Sequence, residues 1–177
     1  MDIRDAGEAD LPGLLDIYNE VIATSTAIYS YDPVTLEERT QWWRARVALG
    51  YPVLVATADC GVLGFSTFGD FRAWPGYRFT VEHSVHVRSG CRGQGVGKQL
   101  VEALFPRATA LGKHVMIAGV DAANEASIRF HERLGFHKSG HLREVGHKFD
   151  RWLDLVFLQR WIAPPVPGAR ASAGPRP

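Results

Sequence analysis

The sequence predicts a mixed α/β domain with helices covering both faces of one sheet. Apolar runs of strand length recur through the chain, and they are interleaved with runs of helical period. A length of 177 residues leaves room for one domain of that kind. Such a chain buries about 70% of the surface it exposes when unfolded, so its core needs no disulfide or metal staple.

Residues 3–5 read as a short first strand. Asp10 stands where an N-cap belongs and Pro12 falls in the first turn. Leu11, Leu14, Leu15, Tyr18, Val21 and Ile22 then share one helical face. Thr35-Leu36-Glu37-Glu38 is a capping box, opening a second helix that carries Trp42, Trp43 and Val47 and stops at Gly50. Strands at 52–56 and 62–68 form a hairpin through Asp59-Cys60-Gly61, and 80–87 is a further strand. A Gly-rich turn leads into a long helix with Val96, Leu100, Val101, Leu104, Phe105, Ala108 and Leu111 at helical spacing. Pro106 lies inside it and should kink it or end it early. A strand at 114–120, a helix at 124–134 closed by Gly135, and strands starting at Phe136 and Trp152 complete the order β-α-α-β-β-β-α-β-α-β-β. Residues 163–177 hold half of the ten prolines and little to bury, so they read as a flexible tail after a domain of residues 1–162.

Composition narrows the function classes. Apolar residues at 46% and charged residues at 22% exclude wholesale disorder. Twenty Lys plus Arg against nineteen Asp plus Glu leave a charge of +1, which argues against a nucleic-acid binder held by a basic face. No apolar run approaches the ~20 residues of a membrane span, and the opening MDIRDAGEAD has no signal-peptide h-region. Cys60 and Cys91 make neither a metal cluster nor a disulfide framework. The expectation is a cytoplasmic protein with no nucleic-acid or membrane partner.

The informative stretch is Val85-His86-Val87-Arg88-Ser89-Gly90-Cys91-Arg92-Gly93-Gln94-Gly95-Val96-Gly97-Lys98. A strand runs into a turn with glycines at alternate positions, and a helix starts there. Glycines let backbone N–H groups converge on an anion, and the helix N-terminus adds partial positive charge. A phosphate or pyrophosphate is the natural guest, although glycines packed tightly in a turn are the plainer alternative. A Walker loop fails because it needs Gly at 92 and Ser or Thr at 99, where Arg92 and Gln99 stand. A dinucleotide fingerprint starting at Gly93 fails at Lys98.

Arg92, Gly95 and Gly97 fit the pattern Arg/Gln-x-x-Gly-x-Gly/Ala, and Asn124-x-x-Ser127 precedes Phe130-His131-Glu132-Arg133-Leu134-Gly135-Phe136. Together these resemble the GCN5-related N-acetyltransferases (GNAT), whose fold is a mixed, mostly antiparallel sheet. Within that superfamily the chain up to Trp161 is similar to the phosphinothricin and methionine-sulfoximine acetyltransferases and to L-amino-acid N-acyltransferases. The matching pieces include Thr24-Ser25-Thr26-Ala27, Gly69-Asp70-Phe71-Arg72, Thr80-Val81-Glu82-His83-Ser84-Val85 and Val145-Gly146-His147-Lys148.

The resemblance implies acetyl transfer from acetyl-CoA to the α-amine of a small amino acid or toxic analogue in a ternary complex, without a metal. Val85, His86 and Val87 would pair with the pantetheine arm. Backbone at Gly93, Gln94, Gly95, Val96, Gly97 and Lys98 would hold the pyrophosphate, and Asn124 with Ser127 would reach the pantetheine or the sulfur. Glu82 matches the family's general base, acting through a water. His131 stands where most members carry a Tyr that protonates the thiolate; it is either that acid or a helix histidine packed on the core. Substrate contacts fall on Arg72, Ala73, Trp74, Tyr77, Tyr29, Glu82, His83 and Ser84, with Arg72 suited to a carboxylate or phosphinate because its fork binds two oxygens. His83 and His86 lie three apart on a strand and point to opposite faces, which disfavours a shared metal. Other members of this branch pair, which implies a homodimer. The competing readings are the same chemistry on a polyamine, an aminoglycoside or a protein N-terminus, and a non-catalytic acetyl-CoA sensor.

Overall fold

The structure is a computed structural model that describes residues 1–162; the expected tail at 163–177 lies outside the described residues. The long elements are β1 (Asp2–Asp5), α1 (Leu11–Thr24), α2 (Leu36–Ala48), β2 (Val53–Ala58), β3 (Gly61–Asp70), β4 (Thr80–Val87), α3 (Val96–Ala110), β5 (Val115–Asp121), α4 (Glu125–Arg133), β6 (His137–Lys148) and β7 (Arg151–Trp161). Their order is the one the sequence predicts. They form one seven-stranded sheet in the order β1-β2-β3-β4-β5-β7-β6. Only β4 and β5 run parallel; the other neighbours are antiparallel.

The alternation of strand residues assigns the two faces. Leu54 and Ala56 of β2 point to the side where α3 and α4 pack, joining Leu100, Leu104, Met116, Ile128 and Phe136. Val53 and Val55 point the other way, joining Leu14 and Ile17 of α1 and, at the margin, Trp42 and Trp43 of α2.

Two local expectations change. Asp10 sits at the N-cap position of α1, but its side chain does not cap that helix. Its carboxylate takes both arms of Arg4 at 2.7 and 2.8 Å and the Gly7 N–H at 2.8 Å instead. A bidentate charged pair outcompetes a single bond to a helix N–H. Pro106 does not end α3, which continues to Ala110. Proline in a helix costs ~3 kcal/mol, and the fully buried stripe of Val96, Leu100, Val101, Leu104 and Ala108 outweighs that at about 1.5–3 kcal/mol for each large side chain.

The feature that positions the site is a parting of strands. β4 meets β5 only through Thr80↔Val115, Val81↔Met116 and Glu82↔Ile117. Beyond that point β4 stays with β3 out to Val87↔Gly64, while β5 follows β7 out to Asp121↔Leu155. The β5-facing edge of residues 83–87 is left without a strand partner.

Candidate active site

A cleft of about 870 Å³ opens where the strands part. Val85, His86 and Val87 form its β4 side, and the Gly-rich turn with the start of α3 forms its end. In that turn Gly93 and Gly95 have φ of +77° and +81°, a left-handed backbone that glycine adopts without strain. A Cβ at Gly93 would meet nothing within 4 Å, and one at Gly95 would meet only Gln99 Nε2 at 3.9 Å. Space over the turn is therefore open to a ligand. No side chain caps α3, so its first N–H groups are free to bind an anion.

All the cofactor residues expected from sequence line this cleft except Gln94, whose Nε2 donates back to the Gly90 carbonyl at 3.2 Å. A backbone contact from Gln94 is unaffected by that bond. Asn124 and Ser127 face the cleft from α4, where the Asn124 side chain also caps the helix by accepting the Ser127 N–H at 3.0 Å. Sequence reading missed Arg133, Phe130 and Ala126 on α4, and Val21, Ser25 and Ala27 at the end of α1. Arg133 sits two positions beyond His131 on the same helix, and its charge was the available signal. Arg92, Lys98 and Arg133 line the cleft and no carboxylate does, which suits a polyphosphate.

His83 and His86 point to opposite faces, as their spacing predicts. His86 packs its ring against Tyr18 and Phe65. Burial, with the Arg39 and Arg92 charges behind it, lowers its pKa to about 4, so it is neutral at pH 7. His83 packs against His131 and Phe136; both its ring nitrogens are buried without a hydrogen-bond partner, and burial holds its pKa well below the usual value. Among the described residues no three His, Cys, Asp or Glu side chains gather into a metal-binding group.

Glu82 occupies the last paired position of β4 before the strands part. Its side chain is half-buried, and burial raises its pKa while the Arg72 charge pulls the other way. A carboxylate with a raised pKa is a stronger base than an exposed one, and it remains ionised at neutral pH unless the shift is several units. Ser84, two residues on, is paired with Thr67 of β3.

The loop after β3 brings Arg72 near enough for its charge to act on this carboxylate, and it leaves Arg72, Ala73, Trp74 and Tyr77 exposed, Trp74 by 75%. Arg72 lies over the Phe71 ring at 4.5 Å. Phe71 meets both Tyr77 and Phe157 edge-on, so the loop is anchored at Phe71 with its fork free. Tyr29 approaches from the α1–α2 connection. Its ring fills the space over Gly146, where a Cβ would overlap it, and its hydroxyl is buried with no partner.

His131 does not line the cleft. It is buried among His83, Phe130 and Phe136. Nδ1 lies 2.7 Å from the Ser127 carbonyl; since a carbonyl only accepts, Nδ1 carries the proton. Burial lowers its pKa, the Ser127 bond opposing.

Residues 14–136 match the profile of the acetyltransferase (GNAT) family. The chain is 53% identical over 163 residues to an L-methionine sulfoximine/L-methionine sulfone acetyltransferase of Pseudomonas paraeruginosa, covering 92% of this chain and 95% of that protein. It is 37% identical over 161 residues to a phosphinothricin N-acetyltransferase of Streptomyces coelicolor, covering 89% and 94%. A putative acetyltransferase of Salmonella typhimurium, solved with its cofactor acetyl-CoA, superposes with a TM-score of 0.90 at 43% identity, over 95% of this chain and 98% of that one.

Proposed function

This chain belongs to the acetyltransferase (GNAT) family, and from that premise we propose that it moves the acetyl group of acetyl-CoA to the α-amine of a small amino acid or analogue of the methionine sulfoximine, methionine sulfone or phosphinothricin type. The observation that carries this reading is the parting of β4 from β5, with Glu82 at its apex and the open Gly-rich turn lining the cleft beyond it.

In the proposed reaction the free edge of residues 83–87 pairs with the pantetheine arm, as a strand would. Backbone N–H groups from 93 to 98 take the pyrophosphate, with Arg92, Lys98 and Arg133 supplying positive charge. Arg72 holds the acid group of the amino acid with its fork, and Trp74, Tyr77, Tyr29, Ala73, His83 and Ser84 shape the surroundings. Glu82 removes a proton from the ammonium through a water. The amine nitrogen then attacks the thioester carbon, the N–C bond forms, the C–S bond breaks, and CoA leaves as thiolate while the nitrogen sheds its second proton, which goes to the sulfur. For the proton returned to sulfur, the burial of His131 and the commitment of its Nδ1 to Ser127 favour the packing role over that of acid. Asn124 and Ser127, which face the cleft, are the polar side chains of α4 available to steady the leaving sulfur.

Two finer points complete the proposal. The enzyme works as a homodimer in the cytoplasm. Support for pairing comes from the β6–β7 end of the sheet, where β6 is an edge strand and Leu142, Val145, Phe149 and Trp152 are exposed; exposed apolar side chains on an edge are what association covers. Among the described residues no helix is long and apolar enough to cross a membrane.

Glu82→Gln tests the reading. It keeps the shape, removes the proton acceptor, and should lower kcat at neutral pH by ~10²–10⁴-fold. In the unaltered enzyme activity falls as pH drops through a value above the ordinary carboxylate range, because burial raises the Glu82 pKa. The variant loses that acid limb and partly recovers at high pH, where more amine arrives neutral. A profile like that of the unaltered enzyme would refute the assignment.

A further inference from the structure

Glycine in the middle of a strand has no side chain to pack and weakens it, and its presence commonly marks a place where something must approach closely. Gly119 is such a residue. It lies inside β5, paired with Phe157 of β7, two residues past the last contact with β4, and it is exposed. Its φ lies outside the left-handed region, so the backbone does not demand glycine. A Cβ there would stand 2.9 Å from Glu82 Oε1, 3.5 Å from Leu155 Cδ1 and 3.8 Å from Phe157 Cε1. The two carbon contacts are ordinary; the carboxylate contact is not.

We propose that Gly119 is a positioning residue for the acetyl transfer: its missing side chain leaves the gap between β4 and β5 into which the Glu82 carboxylate leans, and so fixes where the base meets the incoming amine. This rests on the reading of Glu82 as base. Ile117, which pairs with Glu82 directly, keeps a full side chain, so the gap is local to one residue. The 2.9 Å contact is with the far end of a flexible side chain. A methyl group would therefore not break the fold but would turn the carboxylate aside by about half an ångström, enough to restore an ordinary contact. A misplacement of ~1 Å costs about 10²-fold in rate. The displaced group would also meet different surroundings, so its pKa would move.

The test is a double-mutant cycle of Gly119→Ala with Glu82→Gln, read with an amino-acid substrate. Alone, Gly119→Ala should lower kcat/KM by about 10-fold and move the acid limb of the profile. It should leave the acetyl-CoA affinity measured by calorimetry unchanged, and the Tm no lower than before. In the Glu82→Gln background it should change kcat/KM by less than about 3-fold, since no base remains to misplace. Full activity in Gly119→Ala, or an equal loss in both backgrounds, would overturn the proposal; the second result would assign the glycine to substrate fit or folding. The Glu82→Gln single variant reports separately on the base: if it retains full activity, the base assignment fails, and the proposal with it. If it is impaired while Gly119→Ala is not, only the proposal fails.

Discussion

Replacing Lys148 by Met should cost the fold more than any surface lysine would. Lys148 ends β6, is 2% exposed, and directs its ammonium at three carbonyls: Ile22 at 2.6 Å, Ser25 at 2.8 Å and Ile28 at 2.7 Å. All three donors of the group are thus used. Ile22 belongs to the last turn of α1, whose carbonyls have no partner within the helix. Methionine fills nearly the same volume and donates nothing. Hydrogen bonds from a charged donor contribute about 1.5–3 kcal/mol each, and burying the ammonium offsets several kcal/mol of that. We expect a net loss of about 2–4 kcal/mol. For a domain of this size, ~1 kcal/mol shifts Tm by about 2–4 °C, so Tm should fall by about 5–15 °C and the urea midpoint should drop at constant m-value. The segment held this way carries Ser25 and Ala27 into the cleft and Tyr29 onto Gly146. KM for acetyl-CoA and for the amino acid should therefore both rise well below the new Tm. A melting temperature within about 2 °C of the original, with unchanged KM values, would refute the account of Lys148.

Gly95→Val places a branched side chain at φ +81° in the space where phosphates approach; calorimetry should find acetyl-CoA affinity lowered by at least about tenfold, with some loss of Tm from backbone strain. Unchanged affinity would refute the placement of the pyrophosphate. Arg72→Ala should remove a charge-assisted contact of roughly 1.5–3 kcal/mol, about 10- to 100-fold in kcat/KM, for an amino acid but not for its decarboxylated amine. Equal losses would make Arg72 structural.

The order of all eleven long elements was legible because each carries a local signal of its own. The capping box at Thr35 is reproduced in the structure, with Thr35 accepting from the Glu38 N–H, and 80–87 is a strand with the expected bounds. Errors came where a distant partner decides the outcome. Asp10 looks like a cap until Arg4 is beside it, and of the two outcomes open for Pro106, a kink or an early end, the packed stripe of α3 excludes the early end. The lining of the cleft was largely readable because the turn and the strand before it are contiguous in sequence. Arg133, Ser25 and Ala27 were not, since only the folding of α1 and α4 around the parted strands brings them to the same cleft. Gly119 gave only a generic signal, a glycine inside the strand read at 114–120; it acquires its specific meaning when the Glu82 carboxylate is found against it.

The most direct measurement is CoA thiol release from acetyl-CoA at neutral pH, with methionine sulfone, methionine sulfoximine, phosphinothricin and their decarboxylated amines offered in turn and the products identified by mass. The account predicts turnover with at least one of the amino acids, one N-acetyl product formed per thiol released, and little turnover with the matching amine that lacks the acid group. Tight acetyl-CoA binding with no thiol release in the presence of any of these amino acids would contradict it and leave a cofactor-binding module in place of an enzyme of this class.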